Sequence, residues 1–352
     1  MSRSVKFGTL SFGPRERKDI QVMIEQAQGK ERVGFDYLWM PDHVMTPSLD
    51  DELGDTWTTL TYVASRTDKI IVGQGVTDAL RSHPVVLAQQ IATLDKYTKG
   101  RVVLGIGAGE AMNLVPFSIS LDHGVSRLEE AIKVLKLLFA ADLNNPAEFS
   151  GMYFNLSNAF LQVKSHQKPH PPIYVGALGK RNREMSGRLA DGVYTFINTP
   201  ETFAERLIDI KRGAESAGRS ISDLDVTAYI ITSIDEDKEK AEKSASMLAR
   251  SFLTSDRDTL IMMGFDAPLS EDFMTQKVLV SREAIRIARE AVEKIPREAV
   301  DMITMTGGAK ECIDGIESFI RSGATQIVIK DASHDLNYSA KVLKDTVIPA
   351  FR

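Results

Sequence analysis

Short runs of apolar and β-branched residues alternate with helical patterns along most of the chain, and this alternation limits the possible folds more than any other feature. The eight runs cover residues 5–10, 35–40, 70–76, 101–106, 173–177, 192–197, 226–233 and 325–329. Strands that alternate with helices form parallel sheets. Eight of them predict a closed (β/α)₈ barrel, the TIM-barrel architecture, with an open doubly wound sheet as the alternative.

The segments between the strands carry helix signals. After the fourth run, apolar residues recur at spacings of four, three and four, which places them on one helix face that can pack on the sheet. These residues are Leu128, Ile132, Leu135 and Phe139. Gly13-Pro14 and Thr199-Pro200 predict helix starts, and Gly29 predicts a helix end.

Three connections are longer than a plain barrel needs: residues 141–172, the loop after His43, and residues 235–320. The last contains two strongly helical stretches, at 237–251 and 281–294. We interpret the longest two as insertions, at about 141–172 and 235–300, on a single barrel domain that spans residues 1–352.

The charge balance and the cysteine content argue against several classes of function. Lys and Arg number 43 against 48 Asp and Glu, and a net charge of −5 without a basic block disfavours nucleic-acid binding. One cysteine, Cys312, excludes an internal disulfide and a cysteine-based metal cluster. No apolar run has the length of a membrane span, and the first residues do not read as a signal peptide. We therefore expect a cytoplasmic protein that binds neither nucleic acid nor a membrane.

Active sites of such barrels lie at the carboxyl ends of the strands. This rule selects four segments: Asp42-His43, residues 74–78, residues 105–113 and residues 176–183. His43 is a candidate proton donor because histidine titrates near neutral pH. In the alternative interpretation, Asp42 caps a turn and His43 is a polar surface residue.

The segment 105–113, GIGAGEAMN, places three glycines at alternate positions, where the backbone can approach a ligand closely. It is not the dinucleotide-binding fingerprint, because Glu110 stands where the third glycine of that motif belongs, and no Lys-Ser or Lys-Thr follows to make a phosphate loop. Glu110 is a candidate acid at the barrel mouth. A plain strand-to-helix turn is the alternative.

Two further groups of side chains suggest ligands. Residues 179–183, GKRNR, combine a helix start with basic side chains, which favours an anion, although a solvated helix face is the alternative. His166 and His170 have the spacing of a helical metal pair, but Pro169 and Pro171 argue against a helix there. We therefore predict no metal site.

Five motifs in order, GFDYLWMPDH, VGQGVT, GRVVLGIGAGEAMN, PPIYVGALG and LADGVY, make the chain similar to the bacterial-luciferase-like superfamily of flavin and deazaflavin barrels. Within it, the chain resembles the branch that uses the deazaflavin coenzyme F420. That branch includes methylenetetrahydromethanopterin reductase and the secondary-alcohol and glucose-6-phosphate dehydrogenases. The resemblance implies coenzyme F420 as the cofactor, with FMN as the alternative, and a homo-oligomer, dimer or tetramer.

The resemblance also implies roles for individual residues. His43 is expected near the reacting carbon, Glu110 is expected to act as an acid, and a non-prolyl cis peptide bond is expected at Gly75-Val76. Expected contacts to the deazaflavin side of the cofactor are Asp42, Gly75, Val76, Asp78, Ala108, Gly109 and Asn113. Expected contacts to its phosphate and tail are Gly176, Gly179, Arg181 and Asn182.

The chain differs from the sugar-phosphate dehydrogenases of this branch at positions that affect the choice of substrate. Pro47 stands where the sugar-phosphate dehydrogenases have a tryptophan, and Thr199 and Met302 stand at their phosphate-binding lysine and arginine. Glucose 6-phosphate is therefore disfavoured. The segments GQGVT, GIGAG, ADGV and ITMTGG favour a methylenetetrahydromethanopterin reductase-like enzyme, whereas GEAMN is closer to the alcohol dehydrogenases. An FMN-dependent monooxygenase and a barrel that binds without catalysis are the remaining alternatives.

Overall fold

Eight parallel strands close into a barrel, which confirms the predicted architecture and rules out the open sheet. The computed structural model of the chain describes residues 5–10, 19–47 and 52–352. Each strand pairs with the next, and the last pairs with the first. The strands are β1 (Lys6–Leu10), β2 (Tyr37–Met40), β3 (Ile71–Gln74), β4 (Val102–Gly107), β5 (Ile173–Gly176), β6 (Gly192–Ile197), β7 (Asp225–Ile234) and β8 (Gln326–Asp331).

Short strands outside the barrel also form. Thr77–Asp78 pairs with the end of β4, and Ala147–Ser150 pairs antiparallel with Asn155–Ala159 inside the longer connection after β4. Thr304–Gly307 pairs with residues 231–234 of β7. The sequence did not mark Thr304–Gly307 as a strand, because its threonines and glycine do not form an apolar run.

The helices surround the barrel. They are α1 (Ile20–Val33), α2 (Thr56–Ala64), α3 (Pro84–Thr98), α4 (Ala111–Leu114), α5 (Gly124–Ala140), α6 (Lys180–Leu189), α7 (Pro200–Ser216), α8 (Lys238–Ser255), α9 (Arg257–Met262), α10 (Arg282–Val292), α11 (Arg297–Ile303), α12 (Ala309–Arg321) and α13 (Leu336–Val342). The predicted stripe on α5 is buried.

The structure confirms one predicted helix start and moves one predicted helix end. Thr199 caps α7 in a capping box, and Pro200 is its first residue, as predicted. The predicted end of α1 at Gly29 is wrong, because α1 continues to Val33. Gly34 ends it instead, with φ of 104°, a left-handed conformation that glycine adopts without a steric penalty. The predicted start at Gly13-Pro14 lies outside the described residues.

Large aromatic side chains fill the barrel interior. The Trp39 ring lies 5.0 Å from that of Tyr194 and 5.5 Å from that of Tyr174, and all three are buried. At the amino ends of the strands, Asp225 Oδ2 accepts hydrogen bonds from Lys6 Nζ (2.7 Å) and the Tyr174 hydroxyl (2.5 Å). Because aromatic side chains fill the interior and hydrogen bonds link the strands at their amino ends, the carboxyl ends are where a ligand can bind.

Three glycines surround the side chain of Val76, which follows β3. A Cβ atom added at Gly107 or Gly176 would lie 3.0 Å from Val76 Cγ2, and one at Gly105 would lie 3.1 Å from Val76 Cγ1. The same Cβ at Gly105 would lie only 1.9 Å from the carbonyl oxygen of Gln74. Glycine is therefore required at 105 by close packing of β4 against β3.

We predict that Gly105→Ala lowers the free energy of unfolding by at least about 1–3 kcal/mol, because the added methyl group overlaps a backbone oxygen. Urea denaturation of the purified variant measures this. Gly29→Ala is the matched control, since its Cβ would have no heavy atom closer than 3.9 Å and lies inside α1. The control should gain about 0.5–1 kcal/mol from helix propensity. Equal midpoints for Gly105→Ala and the wild type would refute the packing interpretation.

Candidate active site

Hydrogen bonds join His43, Glu110 and Asn113 at the carboxyl end of the barrel. Asn113 Nδ2 donates to Glu110 Oε2 at 2.9 Å and lies 3.0 Å from His43 Nδ1. His43 Nδ1 is 3.2 Å from Glu110 Oε2, and these two side chains are 22% and 29% exposed. Asn113 is 2% exposed. The two candidate proton donors therefore share one buried partner while both remain open to a ligand.

The chain after β4 explains why Glu110 and Asn113 meet. Glu110 is the residue before the short helix α4, and Asn113 lies three positions later, so both project from the same turn. Gly109 precedes them with φ of +90°, and a Cβ there would lie 2.5 Å from Leu80 Cδ1 and 2.7 Å from Leu114 Cδ1. The turn is thus tight, and it also positions Glu110 at the mouth.

Arg81 holds the two aspartates that the sequence placed at the mouth. Its Nη2 donates to Asp42 Oδ2 (2.8 Å) and its Nε donates to Asp78 Oδ2 (2.5 Å). Asp42 Oδ2 also accepts from the Thr77 hydroxyl at 2.5 Å. Burial alone lowers the pKa of Arg81, but the charges of Asp78 and Asp42 outweigh it, so the pKa of Arg81 is raised. Arg81 therefore stays charged and fixes both carboxylates.

Sequence reasoning missed Arg81. Two carboxylates that are partly buried at the same mouth need a nearby cation. Asp78 and Arg81 are three positions apart, and at that spacing an aspartate and an arginine can form an ion pair. That spacing was the available signal. The carboxylate of Asp78, which is predicted to contact the cofactor, accepts hydrogen bonds from Arg81 Nε and from the backbone N–H groups of Leu80 and Arg81.

The peptide bond between Gly75 and Val76 is cis. A Cβ at Gly75 would lie 3.3 Å from the Tyr194 ring and from Trp39 Cβ, so this bond rests directly on the aromatic interior. Ala108 is partly buried at the end of β4, and its carbonyl oxygen would lie 2.5 Å from a Cβ at Gly124. These residues form the inner wall of the mouth.

The segment after β5 divides into internal and accessible residues. Gly176 faces Val76, and its carbonyl oxygen accepts a hydrogen bond from Asn182 Nδ2 at 2.8 Å. Gly176 and Asn182 therefore support the inner wall of the mouth. Gly179 is the N-cap residue of α6, and a Cβ added there would have no heavy atom within 4 Å. Arg181 is exposed and donates to the Ser126 hydroxyl at 2.7 Å. The first turn of α6 is therefore open to an anion.

The second long insertion reaches the same mouth. The Ala111 N–H, next to Glu110, donates to the Gln276 carbonyl at 3.0 Å. Arg206, which is 4% exposed, donates to Asn198 Oδ1 (2.9 Å) and to the Thr259 hydroxyl (2.8 Å). These bonds tie α7 and α9 to the end of β6.

Of the two histidines 166 and 170, His170 lies near one carboxylate, since its Nδ1 is 3.7 Å from Asp191 Oδ2. Within the described ranges, no three His, Cys, Asp or Glu side chains are arranged to hold a metal ion. The His170 ring also stacks on Phe139, with the ring centroids 6.1 Å apart.

Among the helices of the described residues, none is long and apolar enough to cross a bilayer.

The sequence model of the luciferase-like monooxygenase family matches residues 5–326. The 5,10-methylenetetrahydromethanopterin reductase of Methanopyrus kandleri is 28% identical over an alignment of 340 positions that covers 91% of each chain. The F420-dependent glucose-6-phosphate dehydrogenase of Microbacterium testaceum is 28% identical over an alignment of 355 positions that covers 99% of this chain and 96% of the relative. An F420-dependent secondary alcohol dehydrogenase, solved with an F420–acetone adduct, superimposes with a TM-score of 0.82 at 27% identity and covers 99% of both chains.

We predict that Arg81→Met lowers the free energy of unfolding by about 3 kcal/mol, because it leaves two nearly buried carboxylates without their cation. Thermal and urea unfolding measure the loss. Arg286→Met is the control, since Arg286 also bridges two carboxylates, those of Glu283 and Glu290, but on an exposed helix face. The control should leave the unfolding curve nearly unchanged. The same small effect in both variants would contradict the role given to Arg81.

Proposed function

Because the chain belongs to the luciferase-like monooxygenase family, we propose that it is an oxidoreductase that transfers a hydride between coenzyme F420 and a carbon centre of a small molecule. The proposal rests on one observation: His43, Glu110 and Asn113 form a hydrogen-bonded cluster at the barrel mouth. The residue before His43 is Asp42, which is bound by Arg81. Two relatives that match nearly the whole chain are F420-dependent enzymes, and this similarity supports the proposal.

The residues at the mouth fit a planar ring with an anionic tail. Asp42 offers a fixed carboxylate, and the Gly75-Val76 bond with Ala108 offers an inner wall. The open start of α6, with Gly179 and Arg181, fits a phosphate group through backbone N–H groups and a positive charge. We assign ring binding to Asp42, Gly75, Val76, Ala108 and Gly109, and tail binding to Gly179 and Arg181.

When bound, a deazaflavin supplies the hydride chemistry. The protein's own residues orient the reactants and provide protons. His43 and Glu110 are partly exposed and lie within 3.2 Å of each other, so either can exchange a proton with a ligand in the mouth. Gly176, Asn182 and Asp78 support this arrangement through their internal hydrogen bonds.

The structure supports a substrate without a phosphate group. Thr199 is 2% exposed, and its hydroxyl accepts the Thr202 N–H at 3.2 Å in the cap of α7. Met302 is 45% exposed and uncharged. The guanidinium of Arg206 is buried and already donates to Asn198 and Thr259. We infer a methylene-pterin as the leading substrate class, with an alcohol and carbonyl pair as the second.

The homo-oligomer and the cytoplasmic location that the sequence suggests remain predictions. Size-exclusion chromatography with light scattering of the purified protein tests the first of them.

We predict that coenzyme F420 binds the purified protein and that FMN does not bind productively. Calorimetric titration with each cofactor measures affinity. Turnover is then compared with methylenetetrahydromethanopterin, with 2-propanol and acetone, and with glucose 6-phosphate. Activity with the pterin and none with the sugar phosphate is expected. Tight FMN binding without F420 binding would refute the proposal and favour the monooxygenase alternative.

We predict that Glu110→Gln and His43→Ala each lower kcat by about 10²-fold or more, the usual scale for acid–base groups. Stability should change by less than about 1 kcal/mol, because both side chains lie at the solvated mouth. Glu317→Gln on the exposed face of α12 is the matched control and should keep full activity. If Glu110→Gln unfolds while its folded fraction turns over normally, Glu110 is a structural residue of the turn.

A further inference from the structure

The orientation of the Asn113 side-chain amide is fixed by the backbone beside it. Its Oδ1 lies 2.8 Å from the N–H of Val44 and 3.0 Å from the N–H of Met45. Backbone N–H groups only donate, so the atom that faces both of them must be the acceptor oxygen. The NH₂ group of Asn113 therefore occupies the other end, toward His43 and Glu110.

This orientation constrains the proton on the His43 ring. An amide NH₂ has two hydrogens and no acceptor, so its 3.0 Å contact with Nδ1 is a hydrogen bond only when Nδ1 carries no proton. The second hydrogen serves Glu110 Oε2 at 2.9 Å. A neutral imidazole without a proton on Nδ1 carries it on Nε2.

Glu110 favours the opposite arrangement. Its Oε2 is 3.2 Å from His43 Nδ1 and would accept a proton held there. In that state one hydrogen of the Asn113 amide would face an N–H group and lose its acceptor. Asn113 is 2% exposed, so water has little access to replace the lost partner. An unpaired buried donor is unfavourable, and this penalty opposes a proton on Nδ1.

We propose that Asn113 is a positioning residue that holds His43 as a neutral imidazole with its proton on Nε2. His43 then offers its Nε2–H to a ligand as a hydrogen-bond donor, from the ring edge away from Glu110. Transfer of that proton would require Nδ1 to take up another, because a neutral ring that only loses its proton becomes an imidazolate. Asn113 thus acts through His43 rather than through its own contact with a ligand. The catalytic meaning of this assignment rests on the proposed function, whereas the tautomer itself does not.

The test reads the tautomer in the protein without cofactor. Two-bond ¹H–¹⁵N spectra of ¹⁵N-histidine-labelled protein at pH 8 distinguish a protonated ring nitrogen from an unprotonated one. The chain has 6 histidines, and the His43 signals are identified by their loss in His43→Gln. The expected wild-type result is a protonated Nε2 and an unprotonated Nδ1. A protonated Nδ1 in the wild type overturns the proposal.

Asn113→Asp reverses the polarity of the key contact. One carboxylate oxygen still accepts from Val44 and Met45, but the other faces His43 Nδ1 and Glu110 Oε2, both of which are now beside acceptors, so Nδ1 should become protonated. Glu110→Gln should leave the proton on Nε2, because Asn113 is unchanged. Asn337→Asp on the exposed start of α13 is the matched control and should leave the His43 signals unchanged. An unprotonated Nδ1 in Asn113→Asp overturns the proposal.

The kinetic arm separates positioning from cofactor binding. Asn113→Asp should lower kcat at least tenfold while the dissociation constant of F420 changes less than threefold. A loss of F420 affinity with unchanged kcat would show that Asn113 binds the cofactor and would overturn the proposal. If Asn113→Asp does not fold, the wild-type spectrum and that of Glu110→Gln still decide the tautomer. Absence of F420 turnover in the wild type refutes the proposed function and leaves the tautomer result standing.

Discussion

Closure of the barrel is the constraint on which the rest of the structure depends. β8 pairs with β1 in register from Gln326 opposite Lys6 to Ile329 opposite Thr9, so the sheet has no open seam. Because all eight strands run in one direction, their carboxyl ends all lie at the barrel mouth. Segments that are far apart in the chain, at 42–43, 77–81 and 110–113, are therefore brought together by the backbone hydrogen bonds of the barrel and not by attraction between their side chains.

The barrel mouth is organised before any ligand arrives. Asp42 is held by Arg81 and Thr77, and Glu110 is held by Asn113, so each carboxylate already has donors at hydrogen-bond distance. Groups that are fixed in this way need no rearrangement when charge changes nearby, which is how preorganised sites lower reaction barriers. The partial exposure of His43 and Glu110 beside the nearly buried Asn113 separates the groups that meet a ligand from the group that orients them.

The sequence predicts the barrel and the location of the site, because both depend on local patterns. Apolar runs, helix stripes and the rule about strand ends need no knowledge of distant partners. The misses depend on partners. Gly29 and Gly34 are both glycines near a helix end, and only the left-handed φ of Gly34 distinguishes them. Arg81 takes its role from Asp42, which is 39 positions away in the chain. Thr304–Gly307 is a strand because it lies beside β7.

The packing around Val76 has a consequence for how the sequence can change. Its two methyl groups fill the space that side chains at Gly105, Gly107 and Gly176 would need, so the four positions share one fixed volume. At 107 and 176, where the crowding comes from Val76 itself, an added Cβ requires Val76 to shift by a few tenths of an ångström or to be replaced by a smaller residue. Drift at these sites is therefore epistatic: the order in which substitutions occur decides which of them are tolerated, and homologues should vary there as a set.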